Sequence, residues 1–380
     1  RIFPLIENHK AKAKVTFTAI IPADFEFITH EEIVSSQPLP LDRAKRRELG
    51  LGENICKRLE EMEEDKDELE LIQKGGYKVV RSGQSPPIPF HVFAFAVGKF
   101  ITKPLGGHPF QAKMLKPLTV ECAYERLCAL APLFLAYLES YLATPLPYKK
   151  MDCLFLPHFI WVAMENPGCM FFADSFLQAP PSISHLLTRE NLLSHELAHN
   201  WFGNLVTPDT FHNLWLKESM VEFLSYKCHQ NAVPTMYSWL DKDLPLANMF
   251  LRVPAHNVRE SPPFKKCSHP ICFKDDDYGN NLMDYYGGIV YQKGCASLRA
   301  LEVLIGDTQF QQILQAIMKT YPQATISDTQ FKSLSLSLLP PSQHADFNQW
   351  INDHIYTRGY TLMDVIGHRY NSEKTALTVE

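Results

Sequence analysis

Apolar and polar residues alternate over Ala13-Lys14-Val15-Thr16-Phe17-Thr18-Ala19, with Ala13, Val15, Phe17 and Ala19 on one face. A period of two marks a half-buried strand. The run His91 to Val97, stopped by Gly98, predicts another. Between them, from Asp42 to Glu70, charge dominates (Arg46, Arg47, Glu60, Glu61, Glu63, Glu64, Asp65). That stretch predicts a solvated helical excursion or a mobile insert rather than a functional charge patch. Gly106, Gly107 and Pro109 then suggest a boundary. From about residue 116 the period turns helical. Phe310, Ile313, Leu314 and Ile317 fall at the spacing of an amphipathic helix. Ser327 with Gln330 predicts a capping box opening the next one. A further helix is expected over Asp346 to Tyr356, ending near Gly359. Thr375 to Val379 returns to strand composition. There is no internal repeat and no low-complexity segment.

The pattern is β, then mostly helical, then β again, an α+β chain. At 380 residues we expect two or three units. These are a partial β-rich N-terminal domain over 1–115 with its charged insert at about 42–75, a mostly helical domain over 116–358, and the start of a C-terminal β unit over 359–380.

Composition narrows the function classes. With 46% hydrophobic and 21% charged residues the chain reads as a soluble globular protein. A net charge of −5 leaves no electrostatic footprint for nucleic acid or an anionic membrane. The apolar stretch Leu127 to Leu138, closed by Arg126 and Glu139, is short of the roughly 20 residues of a membrane helix. It predicts a buried core helix, and no transmembrane segment is expected. Nine cysteines, an odd count without regular spacing, argue against a disulfide framework and for a reducing, cytoplasmic setting. The chain starts at Arg1 rather than Met, so we expect a piece of something longer.

The candidate chemistry lies in Ser194-His195-Glu196-Leu197-Ala198-His199-Asn200-Trp201. Leu192 to Phe202 suits a helix, with Gly203 available to end it. Two histidines at i and i+4 share a face and can converge on one metal ion. Glu196 stands one step along, where a general base for a metal-activated water is needed. A catalytic zinc site wants a third protein ligand. Glu218, after an 18-residue gap from His199, lies on a second helical stretch, and we assign it that place. Glu222, one turn further, is a candidate acceptor for a ligand histidine. The competing reading is two ordinary helix histidines matching by accident.

With these residues the chain resembles the zinc aminopeptidases that include aminopeptidase N, aminopeptidase B and leukotriene hydrolase. Their His-Glu-x-x-His, 18-residue gap and Glu correspond to His195, Glu196, His199 and Glu218. Trp201-Phe202-Gly203-Asn204-Leu205-Val206-Thr207 is also similar. So are Val162-Ala163-Met164-Glu165-Asn166, against a Gly-x-Met-Glu-Asn motif, and Tyr291-Gln292-Lys293-Gly294, against a Tyr-x-Lys-Gly motif. The resemblance implies a thermolysin-like catalytic domain holding one Zn²⁺, with peptides carrying a free N-terminus as substrates. It implies that Glu165 binds the α-ammonium, that Ala163 and Met164 lend backbone groups, and that Tyr291 donates to the oxyanion. Read alone, Glu165 would be a surface carboxylate and Tyr291 a packing residue.

Departures from the family accompany the match. Val162 replaces a glycine, and Lys217 and Ser219 flank Glu218 where Asn and Gly are usual. We expect these to leave the chemistry untouched while narrowing the substrate pocket. The beginning of the family's first β-domain and most of the region beyond the catalytic domain are absent by this comparison. An alternative is a catalytically silent, family-derived interaction domain, favoured by Val162. Epoxide hydrolysis is a further one, disfavoured because Met283 stands eight residues before Tyr291, where an Asp is needed, with Asp284 one place off. An endopeptidase is disfavoured by Glu165. Cys267, His269 and Cys272 read as a loop with ordinary thiols, and Asp275, Asp276 and Asp277 as a solvated acidic run near the site mouth.

Overall fold

The computed structural model describes residues 10–117, 121–178, 183–232, 270–272, 286–358, 368–370 and 377–379. Thr18–Pro22, Tyr77–Ser82 and Ile33–Pro38 form an antiparallel sheet with Tyr77–Ser82 in the centre. Glu26–Thr29 pairs with Phe95–Gly98. The expected first strand is interrupted: Lys12–Ala13 pairs with Ile88–Pro89, and pairing resumes at Thr18. Between these points the Val15 and Phe17 N–H groups donate to the Ser85 and Ser82 hydroxyls, each at 2.9 Å. Side chains there replace a strand ladder. The second expected strand begins only at Phe95, because Phe90–Val92 makes a tight 3₁₀ turn. Pro86, Pro87 and Pro89 precede it, each fixing φ and removing a donor.

The charged stretch folds as three helices, Arg43–Glu48, Glu53–Glu63 and Lys66–Gln73. It is more than a solvated excursion. Cys56, Leu59 and Ile72 pack with Leu39, Leu51 and Val79 into a small core, and Arg46 is fully buried against Glu63.

A five-stranded sheet comes next, in the order Ala163–Met164, Cys169–Ala173, Met151–Leu156, Phe110–Met114, Ile101–Pro104. Its three central strands are parallel. It takes strands from both sides of residue 115, and Ala163–Met164 lies at its edge. Helix Glu121–Leu142 buries Leu127, Leu130, Ala131, Phe134 and Leu138 in the main core. Among the described residues no helix is long and apolar enough to cross a membrane.

Helices Ile183–Ala198 and Trp215–Ala232 carry the candidate chemistry. Gly294–Ile305, Asp307–Thr320, Asp328–Leu338 and His344–Trp350 complete the helical part, the last continuing as a wider turn over Ile351–Tyr356. Phe310, Ile313, Leu314 and Ile317 are fully buried, and the Ser327–Gln330 capping box is formed. At the C-terminal end His368–Tyr370 pairs with Leu377–Val379. The chain is thus α+β, a β-rich N-terminal region followed by a mostly helical segment.

Candidate metal centre

The His199 N–H donates to His195 O at 3.2 Å, so both imidazoles lie on one face of the same helical path. The partner helix returns beside it. Asn191 meets Ser225, His195 meets Glu222, and His199 meets Glu218, a falling register that makes the two helices antiparallel. The 18-residue gap is the span of that reversal.

Three donor atoms converge there. His195 Nε2 and His199 Nε2 are 3.1 Å apart, and Glu218 Oε2 lies 3.5 Å from each. A tetrahedral ion with bonds of about 2.0–2.1 Å holds its ligands roughly 3.3 Å apart. The triangle therefore has the size of one face of such a coordination shell. The ring tautomers agree. His195 Nδ1 sits 3.1 Å from Glu222 Oε1, and His199 Nδ1 donates to Phe202 O at 3.0 Å. With both N–H groups committed outward, the two Nε2 lone pairs face each other, an arrangement that calls for a cation between them. Electrostatics point the same way. Burial works against an imidazolium at His195, yet Glu218, Glu222 and Glu196 outweigh it and hold its pKa well above the ordinary value. The residues present fit a metal ion.

Glu196 is buried beside the triangle, and its Oε2 has no hydrogen-bond partner among the described residues. Burial, with Glu165 and Glu218, pushes its carboxyl up to about 8 against the pull of His195 and Lys217. All these groups open onto a cavity of about 390 Å³, also lined by His91, Trp161, Ala163, Met164, Phe211, Tyr286 and Tyr291.

Residues 129–354, more than half of the chain, match the peptidase family M1 domain. The chain belongs to peptidase family M1. Aminopeptidase N of Oryctolagus cuniculus is 32% identical over 192 residues, covering 49% of this chain and 19% of its own length. Aminopeptidase Ey of Gallus gallus is 26% identical over 332 residues, 84% of this chain and 30% of its own. Aminopeptidase M1-B of Oryza sativa subsp. japonica is 30% identical over 186 residues, 48% of this chain and 20% of its own. This M1 chain thus spans less than a third of the length of the curated relatives it matches.

The remaining motif residues gather at the same cavity of the M1 domain. Glu165 follows the edge strand, is only 4% exposed, and has its carbonyl held by Asn204 Nδ2 at 2.8 Å. The Tyr291 ring stacks on His195, with centroids 6.0 Å apart and an interplanar angle of 13°. Burial and then Glu218 raise its phenol well above the usual pKa, so the hydroxyl stays a donor.

Two expectations are corrected. Lys217 does touch the chemistry: its ammonium is ion-paired with Glu165 and lies 3.2 Å from Glu218 Oε1. Ser219 acts from behind, donating to Val290 O at 2.6 Å and so anchoring the turn that carries Tyr291. Val162 is largely exposed, and the cavity wall is made by Trp161, Ala163 and Met164 on either side of it. His91, Trp161, Phe211 and Tyr286 line the cavity without any signal in spacing. Cys272 is buried, its thiol 3.5 Å from Asn213 Oδ1. Cys267, His269, Asp275, Asp276, Asp277, Met283 and Asp284 lie outside the described residues. Among the described residues seven cysteines are free thiols.

Proposed function

We propose that this M1 chain carries the active centre of a zinc aminopeptidase, which hydrolyses the N-terminal bond of peptides. The observation behind the reading is the triangle of His195, His199 and Glu218 sharing one cavity with Glu196 and Glu165. The three would hold Zn²⁺, which when bound supplies a Lewis acid and an acidified water. The chain's own groups do the rest. Glu196, with an unpartnered oxygen aimed into the cavity, takes the proton of the attacking water and passes it to the leaving amine. Tyr291 stays protonated and donates to the oxygen on which charge develops. The edge strand Ala163–Met164 offers backbone groups to an extended peptide. Glu165 receives the α-ammonium through a charge-assisted contact, which makes the first peptide bond the one cut.

The test is to incubate the zinc-loaded protein with an unblocked peptide and follow the products by mass spectrometry. Residue-by-residue release from the N-terminus, abolished by Glu196→Gln with zinc retained, supports the reading. Internal cleavage would point to an endopeptidase. A second reading, a binding domain without turnover, is favoured by the Lys217–Glu165 pair. It predicts stoichiometric zinc and no products.

A further inference from the structure

The place that Glu165 offers to a substrate ammonium already holds one. Lys217 Nζ is ion-paired with Glu165 Oε1 and lies 3.2 Å from Glu218 Oε1, and both Lys217 and Glu165 are about as buried as the core. This is no loose surface lysine. Its backbone sits in the first turn of the Trp215–Ala232 helix, one residue before a metal-triangle member. Its stem reaches the cavity past Gly203, whose φ of +131° favours glycine. A Cβ at Gly203 would lie 3.3 Å from Lys217 Cε and 3.1 Å from His199 Nδ1, so the missing side chain is also what leaves room for the arm.

We propose that Lys217 is a specificity-determining residue, an internal competitor for the α-ammonium that blunts the site's preference for free over blocked N-termini. The proposal rests on the aminopeptidase reading of Glu165. A second ammonium arriving at Glu165 meets a like charge in a cavity where burial weakens solvent screening. It must share the carboxylate or displace Lys217 towards Glu218 Oε1. Either route weakens binding of a free amine. Neither affects a ligand whose nitrogen is acylated and neutral. The remaining cavity contacts, from Trp161, Met164 and Phe211, are apolar and treat both ligands alike.

The experiment compares leucinol with N-acetylleucinol, which share a side chain, by calorimetry on the metal-loaded protein. Neither carries an N-terminal peptide bond of the kind the site would cut, so binding is read without turnover. The wild type is expected to prefer the free amine by less than about tenfold. Lys217→Asn and Lys217→Met should each raise that preference at least about tenfold by tightening leucinol alone. Adding Glu165→Gln to either should return it to the wild-type value. The methionine variant keeps the stem packed should the shorter side chain not fold, and the wild-type ratio needs no variant at all. A wild-type preference beyond about a hundredfold overturns the proposal, as does an unchanged ratio in both folded variants. If the ratio is unchanged there while Glu165→Gln alone weakens leucinol, the competitor idea fails and Glu165 keeps its role. A raised preference that survives Glu165→Gln removes both.

Discussion

Glu222 Oε1 lies 3.1 Å from His195 Nδ1, on the side of the ring opposite the nitrogen that faces His199. One helical turn separates it from Glu218, so a single face of one helix supplies both a metal-triangle oxygen and the acceptor that orients a metal-triangle nitrogen. Glu222→Ala should therefore weaken metal affinity by roughly 10–100-fold, with helix content unchanged. Chelator competition reads the affinity and circular dichroism the fold. An unchanged affinity would mean that His195 is oriented by something else.

Tyr291→Phe keeps the ring stacked on His195 and removes only the hydroxyl. If that hydroxyl stabilises charge that develops in the transition state, kcat should fall about 10²–10³-fold with KM little changed. Bound metal should stay stoichiometric. Steady-state kinetics on a chromogenic amino-acid anilide decide it, and a rise in KM alone would make Tyr291 a packing residue.

These residues were not equally visible in one dimension. His195, Glu196 and His199 are a local statement about helix geometry, so their spacing alone places them. Glu218 is nearly local, because one helical reversal brings it back. The Lys217–Glu165 pair joins residues 52 positions apart on a helix and a sheet edge. Only the tertiary packing of those two elements creates it, and no spacing rule reads across it. The interruption at Val15 and Phe17 has the same cause, since the serine hydroxyls that take their N–H groups come from 70 and 65 residues away. In the charged insert, the few apolar residues that build its core are hidden by the density of Glu and Lys around them. The α+β order was legible because long helical and alternating patterns sum over many residues.

Gly294 marks a close approach between two helices. A Cβ there would collide with Ser219 Oγ, the hydroxyl that holds Val290 O next to Tyr291. Gly294→Ala should destabilise the fold by about 1–3 kcal/mol and lower turnover by displacing the Tyr291 turn. Combining it with Ser219→Gly removes the obstructing side chain and should recover most of the lost Tm. Additive losses in the double variant would place the strain elsewhere.

His30 ties the N-terminal region to the segment after Glu165, and does so as a neutral ring. Its Nδ1–H donates to Pro167 O at 2.7 Å, while its Nε2 accepts from the Ala94 N–H at 3.0 Å. Protonation at Nε2 would break the second bond inside a buried site. Burial first, with Lys150 adding to it, lowers the pKa to about 4 against the support of Pro167. The unfolded ring keeps the ordinary value near 6.5, so between the two the unfolded chain binds more protons. Stability from this residue is complete above 6.5 and is lost as pH falls towards 4, by roughly 3 kcal/mol at most. Most carboxylates stay ionised between pH 6.5 and 5, which isolates the histidine contribution there. His229, buried and also lowered to about 4, contributes with the same sign. His30→Gln keeps a donor and an acceptor but cannot titrate. Urea unfolding from pH 7 to pH 5 should show a shallower loss of stability in this variant than in the wild type. Equal slopes would mean that the His30 ring is already charged in the folded protein.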